Sequence, residues 1–163
     1  MDIAIVGATG NVGRKTLEVL QQKNLNIDNL YLVASPNSAG KQLEFNGKKY
    51  SIENLENYDF SKAKITFFAA GGKISEQYAE KAAKHTTVID NSSYFRMDPD
   101  VPLIVPQVNA KDIQNMKKNI IANPNCSTAQ LVLVLKPLHD LLDRKSTRLN
   151  SSHSQQSRMP SSA

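Results

Sequence analysis

The single cysteine of the chain, Cys126, lies in the hexapeptide NPNCST, Asn123 to Thr128. The apolar run NIIA precedes it and a leucine- and valine-rich stretch follows. Pro124 and Asn125 are good helix-initiating residues. The sequence beyond Thr128 is helix-like, with Leu131, Leu135 and Leu138 recurring on one face. This pattern predicts Cys126 in the first turn of a helix that Pro137 should kink or end. A helix N-terminus favours an anion, and the thiolate is the attacking form of cysteine, so the position suits a covalent nucleophile. Free cysteine is also among the most often buried residue types, which makes an inert space-filler the competing reading.

A second set of residues spaced for chemistry opens the chain. Gly7, Gly10 and Gly13 recur every three residues between a short β-branched run, Ile3 to Val6, and an amphipathic pattern of Val12, Thr16, Leu17, Val19 and Leu20. The order is strand, tight turn, helix, as in a dinucleotide site. Gly7 permits the turn, Gly10 lets backbone amides approach a pyrophosphate, and Gly13 lets the helix pack on the sheet. The helix N-terminus supplies unpaired N–H groups for the phosphates. Sites for the unphosphorylated cofactor usually carry an acid after the second strand, here Leu30 to Ser35. The stretch ASPNSAGK instead offers Ser35, Asn37, Ser38 and Lys41, which suit a 2′-phosphate and favour NADP over NAD; an ordinary polar loop is the alternative.

The elements that must position these groups follow from the rest of the pattern. Ile65 to Phe68 reads as a buried strand ending in the small-residue loop Ala69 to Gly72. A helix is expected from Ile74 to Lys84, and another strand from Thr86 to Ser93 with a polar end. VPLIVPQVN and KNIIANPN are bounded by Pro102, Pro106 and Pro124 and are expected to be brief strands or extended connections. Strands alternating with helices predict an α/β fold, a Rossmann-like doubly wound and mainly parallel sheet. Ligands of such a sheet gather beyond its carboxyl edge, where Gly71, Gly72, Asn91 and Ser92 would sit. His85 and His139 lie apart from any ligand cluster, so no metal is assigned.

Composition narrows the function classes. The 163 residues are 40% hydrophobic and suffice for one domain with a core. No apolar run approaches membrane-spanning length, and the N-terminus lacks a secretory pattern. One cysteine cannot form an internal disulfide, so a cytoplasmic, reducing location is expected. The net charge is +5, but four basic residues and one acid between Asp143 and Ala163 supply +3 of it. The body carries no basic stripe interleaved with aromatics, so neither nucleic acid nor membrane is expected as a partner. That terminal stretch has no hydrophobic period and is expected to be disordered. Asp143 to His153 and Ser157 to Ala163 can be back-translated into codons resembling a short-read sequencing adapter. Residues 143–163 are therefore expected to be non-native, and 1–142 to form the domain.

The set GATGNVG, SAGK, AAGG, IDNSS with FRMD, PLIVPQVN and IIANPNCST resembles the N-terminal part of the aspartate-β-semialdehyde dehydrogenases, nearly continuously over residues 1–142. The resemblance implies an NADP-dependent enzyme. Its cysteine attacks β-aspartyl phosphate, expels phosphate, and holds a thioester that accepts hydride to release aspartate semialdehyde. That step feeds the synthesis of lysine, diaminopimelate, threonine and methionine. Cys126 would be the acyl-forming residue, Thr9, Gly10, Asn11 and Val12 the cofactor loop, and Ser35 and Ser38 the 2′-phosphate contacts. Pro36 and Asn37 stand where some relatives carry a basic residue. Arg96 matches a phosphate-binding arginine, against a surface salt bridge with Asp98. Asn125 matches a residue of the substrate and phosphate site, against a simple helix cap. The family's acid–base histidine, a glutamine and the carboxylate-binding residues belong to a second domain that also makes most of its homo-oligomer interface. None of these is placed in this chain, which is expected to be inactive alone. N-acetyl-γ-glutamyl-phosphate reductases, and a non-catalytic Rossmann module, are the alternatives.

Overall fold

The computed structural model describes residues 1–142; the expected foreign tail, 143–163, lies outside the described residues. Two compact units divide after Cys126. In the first, the strands β1 (Asp2–Val6), β2 (Asn29–Ala34), β3 (Gln42–Phe45), β4 (Lys48–Asn54), β5 (Ile65–Phe68), β6 (Thr87–Asp90) and β7 (Ile120–Ala122) form one sheet. Their order is β3-β4-β2-β1-β5-β6-β7. Every pairing is parallel except β3 with β4. The helices are α1 (Asn11–Gln22), α2 (Gly72–Ala83), the short α3 (Pro106–Asn109) and α4 (Cys126–Leu141). The expected doubly wound sheet is therefore present, and β1 is flanked by β2 on one side and β5 on the other. That position is the switch point of such a sheet, where the crevice for a ligand opens.

Each face of the sheet has its own core. On one, Leu17 and Leu20 of α1 pack with Ile3, Ile5, Leu30, Leu32 and Ile52. On the other, Ala79 and Ala82 of α2 pack with Ala4, Val6, Val33, Phe68, Val88 and Ile120. The small α2 residues let that helix sit close to the strands. Burial alternates along β5 and β6: Thr66, Phe68, Val88 and Asp90 are buried, whereas Ile65, Phe67, Thr87 and Ile89 are half-buried. Alternation follows from the two-residue period of a strand with one face fully covered. The half-covered face borders a groove of about 450 Å³ lined by Val12, Thr16, Val19, Phe67, Ile89 and Asn123.

Three features refine the sequence reading. Of the two readings open for residues 101–109, the extended connection holds as far as Val105, with a single parallel bridge from Leu103 to Ala122, and Pro106 then opens α3. Proline is well suited to the first helical position, where its missing N–H is no loss. The Asn109 side chain closes the segment, accepting from the Val105 amide and donating to the Leu103 carbonyl at 2.9 Å each. The second difference is the hairpin β3–β4, whose turn residues Asn46 and Gly47 have φ of 50° and 73°. Such a pair matches the right-handed strand twist in a two-residue turn. The third concerns α4, which forms the described part of the second unit with Ser127 as its first residue. It does not end at Pro137 but continues to Leu141. The proline ring holds φ near the helical value, so the loss is a hydrogen bond and not the helix.

Candidate active site

The glycine turn is built as its spacing predicts. Gly7 has φ +84°, and a Cβ there would lie 2.7 Å from the Ala69 carbonyl oxygen of the neighbouring loop. Its amide donates to the Val33 carbonyl at 2.8 Å, tying the turn to β2. Gly13 is buried in the first turn of α1, where a Cβ would meet the Gly7 oxygen at 2.2 Å. Only hydrogen fits between helix and turn at that point. Gly10 caps α1 without a side chain, and Asn11 and Val12 are exposed at its start. The Thr9 carbonyl accepts from Arg14 Nε at 3.0 Å, which closes the loop back on the helix.

A pocket of about 190 Å³ opens beside this turn and beyond the carboxyl ends of β1 and β2. Val6, Gly7, Ser35, Pro36 and Ala70 form one part of its wall, and Leu55, Ile74 and Tyr78 supply apolar surface. Ser35 caps the single 3-10 turn Pro36–Ser38, and its carbonyl accepts from the Ser38 amide at 2.9 Å. Gly71, with φ +89°, caps α2 on the opposite side of the crevice, and Gly72 begins that helix. The pocket thus gathers Gly7 and Ser35 and adjoins Gly71, whereas Arg96, Asn125 and Cys126 take no part in its wall. A crevice with a helix N-terminus and a side-chain-free turn fits a dinucleotide's phosphates.

Arg96 and the cysteine loop meet at the carboxyl end of β6. Arg96 Nε donates to the Asn123 carbonyl at 3.0 Å and one terminal nitrogen donates to the Asn91 carbonyl at 3.1 Å. Asn123 in turn donates through Nδ2 to Asn91 Oδ1 at 2.8 Å, and its amide reaches the Asp90 carbonyl at 2.8 Å. The alternative pairing of Arg96 with Asp98 does not form. Asp98 instead accepts from Lys118 Nζ at 3.0 Å and from the Asp100 amide at 2.9 Å. Those bonds, the Asp100 amide first, hold its carboxyl below the usual carboxylate range. Asp98 and Glu80 push the Lys118 ammonium pKa up in return.

Cys126 is exposed at the start of α4 and does not pack as a buried space-filler among the described residues. Its Sγ lies 3.8 Å from Asn125 Oδ1, toward which the thiol donates. Ser92 was expected on the rim of the sheet, whereas Asp90 and its other partner Ser75 were not singled out from the sequence. Asp90 is fully buried, and its carboxylate accepts from the hydroxyls of Ser75 and Ser92 at 2.6 Å each. The one available signal was an acid at the end of an apolar strand, followed within two residues by serine.

Parallel order, a glycine turn at the switch point and a crevice beside that turn define a dinucleotide-binding domain of Rossmann type. Residues 2–116 match the model of the semialdehyde dehydrogenase, NAD binding domain family. The chain belongs to that family. It is 54% identical over 142 residues to the aspartate-semialdehyde dehydrogenase of Aquifex aeolicus, covering 85% of this chain and 42% of that protein. The crystal structure of aspartate semialdehyde dehydrogenase II complexed with ASA from Vibrio cholerae superposes with a TM-score of 0.83. It is 49% identical and covers 85% of this chain and 46% of that one. A Candida albicans aspartate semialdehyde dehydrogenase with NADP gives a TM-score of 0.67 at 27% identity, covering 85% and 46% of the two chains. The chain thus spans less than half the length of these relatives.

Proposed function

We propose that this chain is the cofactor-binding, nucleophile-bearing part of an NADP-dependent aspartate-semialdehyde dehydrogenase. The carrying observation is an exposed Cys126 at a helix start, joined through Asn123 to the loop that holds Arg96, in a chain about half identical to such enzymes over 142 residues. The roles follow from chemistry. Gly7, Thr9, Gly10, Asn11, Val12 and Gly13 cradle the pyrophosphate with backbone amides. Ser35 and Ser38 take the 2′-phosphate, and Gly71 and Gly72 border the crevice on its far side. NADPH, when bound, supplies hydride.

Arg96 holds the phosphoryl group of the acyl phosphate through the free edge of its fork. The Cys126 thiolate attacks the acyl carbon. As the S–C bond forms, the C–O bond to phosphate breaks, and inorganic phosphate leaves with the electron pair. Asn125, beside the sulfur, orients the carbonyl. Once hydride has added to the thioester carbon, the C–S bond breaks, releasing the semialdehyde and restoring the thiolate. The proton-transfer and carboxylate-binding groups belong to a domain beyond residue 142, which also carries most of the homo-oligomer contact. The completed protein works in the cytoplasm, in the synthesis of lysine, diaminopimelate, threonine and methionine.

The test is a gene completed from the genomic locus. It should reduce NADP with aspartate semialdehyde and phosphate, and Cys126→Ser should abolish turnover, a loss of about 10³-fold or more. Preference for N-acetylglutamyl semialdehyde would move the protein to the neighbouring reductases, and ordinary activity in Cys126→Ser would overturn the mechanism. The present chain alone should show no turnover; steady NADP reduction by it would refute the need for a second domain.

A further inference from the structure

Asp90 is an acid with no exposure at all, placed at the last position of β6. Burial of a carboxyl group is costly unless its oxygens are well bonded. Here Oδ1 accepts from Ser75 Oγ of α2 at 2.6 Å and from the Ser92 amide at 3.1 Å, and Oδ2 accepts from Ser92 Oγ at 2.6 Å. Ser92 Oγ then accepts from the Tyr94 amide at 3.1 Å. One side chain therefore binds three levels of the structure: the strand, the helix above it, and the turn that follows. The main chain of that turn is the frame of Arg96. The Asn91 carbonyl takes one guanidinium N–H, and the Asp90 carbonyl holds the Asn123 amide while the Asn123 carbonyl takes Arg96 Nε–H.

We infer that Asp90 is the positioning residue of Arg96. Its carboxylate, with Ser75 and Ser92, fixes the 91–94 turn so that the side edge of the guanidinium is spent on the Asn91 and Asn123 carbonyls. The terminal edge is left facing an anion. A planar fork aimed by two backbone carbonyls is pre-ordered and loses little on binding. An apolar residue at position 90 would keep the strand buried without ordering the turn, so burial alone does not account for an acid there. The inference rests on Arg96 as the phosphate-binding group, and its test separates the two.

The ¹⁵N-labelled chain is compared with Asp90→Asn, Ser92→Ala and, as a control, Thr66→Val. The control removes another fully buried side-chain bond, Thr66 to Thr86, from the adjacent strand. Exchange of the Arg96 Nε–H should quicken about tenfold in Asp90→Asn and Ser92→Ala, the scale of one lost hydrogen bond to a charged group. Amides of β1 and β2 should stay protected, and Thr66→Val should leave Arg96 unchanged while lowering the melting temperature. Unaltered Arg96 exchange in a folded Asp90→Asn, or equal quickening in the control, overturns the inference. If Asp90→Asn does not fold, the Ser92→Ala comparison decides alone. Titration with inorganic phosphate is read on the same Arg96 signal. If the unsubstituted chain does not respond, the anion role of Arg96 fails, while the exchange data still decide whether Asp90 positions it.

Discussion

At the scale of single residues, two glycines with different reasons for being glycine show how the cofactor turn is made. Gly13 has ordinary helical geometry but no room, since a Cβ there would run into the backbone of Gly7 and Ala8. Gly40 has open space around it but φ of +81°. Gly13→Ala should therefore push α1 away from the turn and cost about 1–3 kcal/mol, with loss of NADP binding. Gly40→Ala should cost about 1 kcal/mol through backbone strain alone and leave binding intact. Urea unfolding together with fluorescence titration checks both, and similar binding losses in the two variants would count against this account. The importance of Gly13 was legible in the three-residue spacing. The partner of Arg96 was not: Asp98 is two residues away in sequence, yet each side chain takes a partner twenty or more residues distant, Asn123 for Arg96 and Lys118 for Asp98.

At the scale of elements, the loop after β6 is tied to the residues just before β7 by ion pairs of Lys118 with Asp98 and of Lys117 with Asp100, and Lys118 also pairs with Glu80 of α2. Asp98 titrates below its ordinary value near 3.8, because it bonds the Asp100 amide and Lys118. A carboxyl whose native pKa is depressed stabilises the fold above its unfolded pKa and loses that contribution as pH falls through the native value. Stability should thus decline as pH falls through and below the ordinary aspartate range, and Asp98→Asn should flatten that decline. Chemical unfolding across that range measures it, and an unchanged slope in the variant would dismiss Asp98 as a contributor. Among the elements, β1, β2, β5, β6 and α2 lie within a few residues of their sequence expectation. The β3–β4 hairpin also had a local signal in Asn46-Gly47. At 101–109 a brief strand and an extended connection were both open, because Pro106 serves as well to begin a helix as to bound a strand.

At the scale of the molecule, α4 carries a solvent-facing load of apolar side chains. Val134 is 65% exposed and Leu138 50%, with Leu131, Leu133 and Leu135 exposed as well. No helix among the described residues is long and apolar enough to cross a membrane. Uncovered apolar surface of this kind drives association in water. The isolated chain should therefore self-associate, with sedimentation coefficients that rise with concentration. Replacing Leu131, Val134 and Leu138 by glutamate should suppress this. A monomer across the micromolar range would argue that these side chains find cover elsewhere.

The sequence by itself determined the class of sheet, the glycine turn, the start of the cysteine helix and the family. Each of these is encoded locally, as a hydrophobic period or a spacing of small residues along the chain. Only the tertiary structure decided that Cys126 is exposed, that Ser35 and Leu55 share a pocket wall, and that a buried Asp90 stands behind the arginine. Those facts depend on which distant groups pack together when β6, β7 and α2 converge, and no local pattern encodes that convergence.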